Sequence, residues 1–271
     1  MAIRLGAGRI ILFIFCLFSL SLVAAEPVAN ASQAMLEDLP PRIVLIIDDL
    51  GNWRSAGMRV TSLPGPVACA VLPLTPFAAQ IAEEAFIAGK EVMLHLPLAP
   101  IKHDEIMTGT IFIDTTRKQL ARIFSVYIDS IPHVVGVNNH MGSMLTQHPG
   151  HMAWIMHEIS QRDGLFFVDS YTSEASVALK IATEKGIPAI RRDIFLDNVT
   201  TEAAIDREFS QLKQLARRNG VAVGIGHPYP ATLAYLERIL PQLAGEGIQL
   251  VSVAESIRYR AALTNMSAVS H

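Results

Sequence analysis

The sequence predicts an α/β protein built on a parallel sheet, open or closed. Three observations carry that expectation. The stretch Arg42 to Gly51, RIVLIIDDLG, is an apolar run without polar alternation, the pattern of a strand buried on both faces. Strand-like and helix-like segments then alternate along nearly all of the chain. Polar residues fall at the carboxyl end of strand after strand, where parallel α/β folds build their sites.

The bounds come first. At 271 residues and 51% hydrophobic, the chain can bury one large core as a single domain. Residues 1–25 read as a signal peptide: Arg4 and Arg9 lead, Ile10 to Val23 is apolar, and Val23-Ala24-Ala25 precedes Glu26. The apolar run is short for a membrane span, and an uncleaved anchor is the alternative. Either way the folded part is expected in the periplasm or secreted, with no stable membrane insertion after cleavage. Removing Arg4 and Arg9 leaves 20 basic against 25 acidic residues, a formal charge near −5. That balance offers nothing to nucleic acid or an anionic membrane surface. Cys16 leaves with the signal, so Cys69, in the apolar context VACAV, has no disulfide partner and reads as a buried thiol. Residues 26–41 read as a flexible leader, 42–260 as the domain and 261–271 as a disordered tail. The residues do not specify an oligomeric state.

The strands are expected at Ile43–Ile47, Val67–Leu72, Glu91–His95, Val134–Asn138, Leu165–Asp169, Ala189–Arg192, Val221–Gly226 and Gln249–Val253. Helices fall between them. Pro76–Ala88 stops at Gly89, and Thr115–Ile128 follows Asp114 as its cap. His151–Arg162, Glu174–Lys185, Thr201–Arg218 and Ala231–Ala244 follow. Pro97 to Asp114 breaks the rhythm, a long segment of the kind that covers a ligand site.

The chemistry sits at the strand ends. Asp48 and Asp49 close the first strand, His95 the third, and Asn138, Asn139 and His140 the fourth. Asp169 closes the fifth, Arg192 and Asp193 the sixth, and His227 the seventh. Carboxylate and imidazole donors together suit zinc or a similar divalent ion. If strand order follows the chain, the first, third and fourth ends are neighbours, which makes Asp49, His95 and His140 the expected ligand set. Asp48 is then free as general base, and His227, opposite it, serves as general acid. Asp169, or Asp193 with Arg192, is expected to orient that imidazole or tune the base. Asn139, Ser143 and Tyr229 are the expected substrate contacts. His103, His133, His148, His151 and His157 read as surface residues.

The segments IIDDLG, LHLPLAP, VNNHMGSMLT, FFVDSYTS, RRDIFLDN and GIGHPYPATL, in this order after a signal segment, resemble the divergent polysaccharide deacetylases, a branch of the metal-dependent polysaccharide deacetylases. The resemblance runs from about Arg42 to Arg258. It implies a distorted (β/α) barrel of seven or eight parallel strands, and hydrolysis of N-acetyl or O-acetyl groups on a glycan such as peptidoglycan or an acetylated polysaccharide. It implies Asp48 as base, Asp49 as metal ligand and His227, in Ile225-Gly226-His227, as acid. The chain departs from the superfamily at its His-x-x-x-His metal motif, because Ala99 stands four residues after His95. His140 is the expected substitute.

The expected activity is therefore that of an exported, Zn2+-dependent glycan deacetylase. An alternative is an inactive barrel that binds peptidoglycan or an envelope protein. A retaining glycosidase using Asp48 and Asp169 would leave the histidines without a role.

Overall fold

A computed structural model describes residues 39–102 and 106–269. The expected signal peptide, most of the expected leader, and His103 lie outside the described residues. The chain runs β1 (Arg42–Leu50), α1 (Arg54–Thr61), β2 (Ala68–Val71), α2 (Ala78–Ile87), β3 (Val92–Leu98), α3 (Arg117–Asp129), β4 (Val134–Met141), α4 (Pro149–Ser160) and β5 (Phe166–Asp169). It continues with α5 (Ala178–Glu184), β6 (Ala189–Arg191), β7 (Ile194–Phe195), α6 (Glu202–Asn219), β8 (Val221–Gly226), α7 (Pro230–Ile239), β9 (Gln249–Leu250) and α8 (Val253–Val269).

All strand pairs are parallel, in the order β6-β5-β4-β3-β2-β1-β8-β7, with β9 added beside the start of β1. The sixth expected strand, Ala189–Arg192, is β6, and an unexpected strand, β7, follows it directly. Residues 189–191 pair with β5, residues 194–195 pair with β8, and only Arg192 and Asp193 lie between. The Arg192 N–H donates to Asp169 O and the Asp193 N–H to Val223 O. One extended segment therefore switches partner in mid-course and links the two edges of the sheet, which is the distortion of this barrel.

The pleat sorts the side chains. Ile43, Leu45 and Ile47 join the core that packs against the helices. Val44 and Ile46 join a second core with Ala68, Ala70, Met93, Phe166, Val168, Val223 and Ile225, the barrel interior. Cys69 is buried and free, and burial pushes its thiol up to about 12.

Three expectations are corrected here. Thr116, not Asp114, caps α3, in a capping box with Gln119. Residues 261–269 continue helix α8 where a disordered tail was expected. That helix packs Val253, Ile257 and Tyr259 into the interior core, and Glu91 accepts the Val253 and Ala254 N–H groups at its start. His151 is buried rather than on the surface. It lies against Trp154, with Nδ1 3.0 Å from His148 Nδ1 and Nε2 3.2 Å from Thr115 O.

Gly136 faces the interior, where a Cβ would lie 2.2 Å from the Phe166 ring. Gly136→Ala is expected to cost about 1–3 kcal/mol of stability through this overpacking, read by urea unfolding.

Candidate metal centre

The barrel mouth is built on one irregularity. Asp48 follows Val44 and Ile46 and turns inward, almost fully buried. By the same alternation Asp49 would turn outward. Instead the register of β1 against β2 shifts between Ile47 and Leu50, and Asp49 takes a φ of 58°, which few non-glycine residues adopt. Both carboxylates thereby reach the mouth. Such backbone strain persists where surrounding structure holds it, and it clusters at functional sites.

Asp49, His95 and His140 offer three ligand atoms within 4.8 Å of one another. His95 Nε2 lies 3.2 Å from Asp49 Oδ1, and His140 Nδ1 lies 2.9 Å from that oxygen and 3.2 Å from His95 Nε2. Asp49 Oδ1 is buried yet accepts no well-directed hydrogen bond, while the two ring nitrogens beside it are within hydrogen-bond distance of each other. One carboxylate and two imidazole donors at this spacing would fit a divalent cation such as zinc. Burial works against the Asp49 charge, but the two imidazoles outweigh it and hold the carboxyl far below the usual range. His95 moves up despite its burial, because Asp48 and Asp49 favour its charged form.

Asp48 sits behind this group. Its Oδ1 accepts from Asn138 Nδ2 at 2.8 Å, and its Oδ2 lies 3.6 Å from His95 Nε2. Burial raises its pKa, against the pull of His95 and His227. Across the mouth, His227 Nε2 is 4.0 Å from Asp49 Oδ2.

The partner that orients His227 is Asp197, not Asp169, Asp193 or Arg192 as the sequence suggested. His227 Nδ1 is 2.8 Å from Asp197 Oδ1, while Oδ2 accepts from the His227 N–H and the Thr232 hydroxyl. Burial disfavours the charged ring, but Asp197 together with Asp48 and Asp49 raises its pKa to about 9. Asp197 was overlooked because Ile194–Phe195 is too short a strand to mark its own end. The signal was there: IFLD repeats the pattern of an apolar run closing on an aspartate.

The remaining expected residues divide. Asp169 follows Phe167 onto the helix side of the sheet, and its oxygens accept from the Tyr171 N–H and Ser176 hydroxyl at the entry to α5. Asn139 also points away from the mouth, bonding the Ser170 N–H and Met141 O. Ser143 accepts from the Ile101 N–H and ties the long β3–α3 connection to the end of β4. Arg192 donates to Ser170 O and Tyr171 O and stacks over Phe195. Its roles are therefore to hold the loop after β5 and to add positive charge near Asp48. Asp193 bonds the Val223 N–H and Arg260, closing the barrel floor. Tyr229 does border the mouth. It lines a cleft of about 750 Å³ with Asp49, His140, His227, Trp53 and Met107.

Comparison with known proteins places this geometry. The model of the family "Divergent polysaccharide deacetylase" matches residues 45–257. An uncharacterized protein of Escherichia coli, YibQ, is 35% identical over 205 residues, which are 76% of this chain and 64% of that protein. An uncharacterized protein of Haemophilus influenzae is 33% identical over 212 residues, 78% of this chain and 75% of the other. The crystal structure of an uncharacterized protein from Agrobacterium tumefaciens shares the fold, with a TM-score of 0.77 at 24% identity, covering 80% of this chain and 89% of that one. With the matched region spanning the mouth from β1 to the start of α8, the chain belongs to the divergent polysaccharide deacetylase family.

Proposed function

We propose that the chain is an exported hydrolase that uses a divalent cation, zinc in the first instance, to remove acetyl groups from a cell-envelope or extracellular glycan. The observation that carries this reading is the convergence of Asp49, His95 and His140 beside a base and an acid that are separately held. Family membership supports a glycan as the substrate class. Two exposed aromatics on the cleft rim, Trp53 at 71% and Tyr229 at 42% exposure, add a flat surface suited to the apolar face of a sugar ring.

Asp49, His95 and His140 would hold the cation, which supplies Lewis acidity towards the acetyl carbonyl and makes water more acidic. Asp48 takes the proton of the attacking water on Oδ2, since Oδ1 is occupied by Asn138. His227 gives the proton of Nε2 to the departing sugar nitrogen or oxygen as the acyl bond breaks, leaving acetate and a free amine or hydroxyl. Asp197 keeps Nδ1 of that ring paired, so the proton delivered is the one facing the mouth.

His95→Ala and His140→Ala are each expected to lower bound metal, measured by elemental analysis, and to cut acetate release by at least about 100-fold, as a chelator does to the wild type. Wild-type protein that binds metal but releases no acetate from acetylated glycans would instead favour the inactive glycan-binding barrel.

The pH dependence has a defined sign. His227 is charged below about 9, so its function as acid is present below that pH and lost as pH rises through it. Asp197→Asn is expected to bring the alkaline limb of kcat down towards the ordinary imidazole range of about 6.5.

Trp53→Ala is expected to raise KM for an oligosaccharide about 5- to 10-fold with kcat nearly unchanged, the mark of lost uniform binding.

A further inference from the structure

Asn138 has no part in the proton transfers above, yet its side chain joins the two halves of the centre. It is completely buried within β4, two residues before His140. The register of the sheet pairs it with His95, and both side chains face the barrel interior. Nδ2 reaches Asp48 Oδ1 at 2.8 Å and Ser170 Oγ at 3.3 Å, while Oδ1 lies 2.9 Å from His95 Nδ1.

An amide has one donating end and one accepting end. Asp48 as a carboxylate only accepts, so the NH2 group must face it, and the carbonyl oxygen must face His95. That oxygen can only accept, which puts a hydrogen on His95 Nδ1 whether the ring is neutral or charged; in the neutral ring that a cation requires, Nε2, which faces Asp49 Oδ1 and His140 Nδ1, is then the nitrogen with the lone pair. At the other end, the same amide occupies Oδ1 of Asp48 and leaves Oδ2 open to the mouth.

We infer that Asn138 is a positioning residue with two separable tasks: it selects the ring nitrogen that His95 offers to a cation, and it selects the oxygen that Asp48 offers to water. The inference rests on the reading of the site as a metal-dependent hydrolase. A filler of this position would need neither orientation, and an apolar one would leave Asp48 and the His95 N–H unpaired in a buried place.

The two tasks come apart in Asn138→Asp. A carboxyl at this position still accepts from His95 Nδ1, but 2.8 Å from Asp48 the two cannot both be ionised, so the pair shares one proton and Asp48 is lost as a free base. Asn138→Ala removes both ends. Zinc affinity is measured by competition with a chromophoric chelator, the visible spectrum of the cobalt-loaded protein reports ligand geometry, and kcat is followed by acetate release. Asn138→Asp is expected to hold zinc affinity within about threefold and keep the wild-type cobalt spectrum, with kcat down about 10- to 100-fold. Asn138→Ala is expected to lose about 10- to 100-fold in zinc affinity and to change the cobalt spectrum. Equal loss of affinity in both variants, or wild-type kcat in Asn138→Asp, would overturn the inference. If Asn138→Ala does not fold, the Asp variant carries the test alone: metal kept with kcat lost supports the two tasks, and parallel loss of both rejects them. Wild-type protein that binds zinc without releasing acetate would defeat the hydrolase reading, while the affinity and spectral comparison still decides the role of Asn138 towards His95.

Discussion

The alternation of side chains along the strands of a barrel-like parallel sheet is the constraint on which this molecule depends. Each strand sends every second residue inward, so a polar group at a strand's end joins the mouth only if its number matches the inward row. Asp48 continues Val44 and Ile46, His95 continues Met93, and His227 continues Val223 and Ile225. Asn138 and His140 lie on the inward row of β4, and Asp197 lies one pleat beyond Phe195. Asp49 alone defies the rule, and the bulge and left-handed backbone at that residue are what it takes to turn it in. Without the bulge the Asp49 carboxylate would leave the imidazoles of His95 and His140.

The charge arrangement follows from the same crowding. Three carboxylates, Asp48, Asp49 and Asp197, and three imidazoles, His95, His140 and His227, meet where little water reaches. Each carboxylate is treated differently. Asp197 receives three hydrogen bonds, Asp48 receives one and is pushed up by burial, and Asp49 Oδ1 receives none that is well directed. Its two imidazole neighbours offset its partial burial and favour its charged form.

Much of this could be read from the residues, and each failure has a physical cause. The apolar run of β1, the eight strand segments and the triad Asp49, His95 and His140 were all legible, because buried strands and clustered donors leave patterns in the chain itself. Asp169 and Asn139 were assigned to the mouth because they end strands. Counting back by twos to Phe167 and Val137, which pack against the helices, would have turned both outward. The same count would have favoured Asn138 over Asn139. Asp197 and the division of β6 from β7 were less accessible, since three- and two-residue strands carry too few side chains to show a period. The cap Thr116 was hidden by Asp114, an equally good capping residue two positions earlier.

The absence of a histidine at position 99 is explained by how the end of β3 is used. Ala99 is buried in the helix-side core, and its backbone is occupied: its N–H donates to Ile111 O, and its carbonyl accepts from Met144 and Leu145 N–H. That carbonyl and the Ser143 hydroxyl pin the long connection after β3 to the turn after β4. A ligand supplied from this point would need a side chain leaving the core. His140 comes instead from the neighbouring strand, where register places it opposite Pro97, one inward position beyond His95 and Asn138. The donor is thus moved from the segment following a strand to a strand itself. All three donors then stand on β1, β3 and β4, neighbours in the sheet but for β2, and their mutual spacing is set by backbone hydrogen bonds rather than by a loop. Ala99 therefore does not leave the mouth short of an imidazole, because the sheet places His140 Nδ1 2.9 Å from Asp49 by another route.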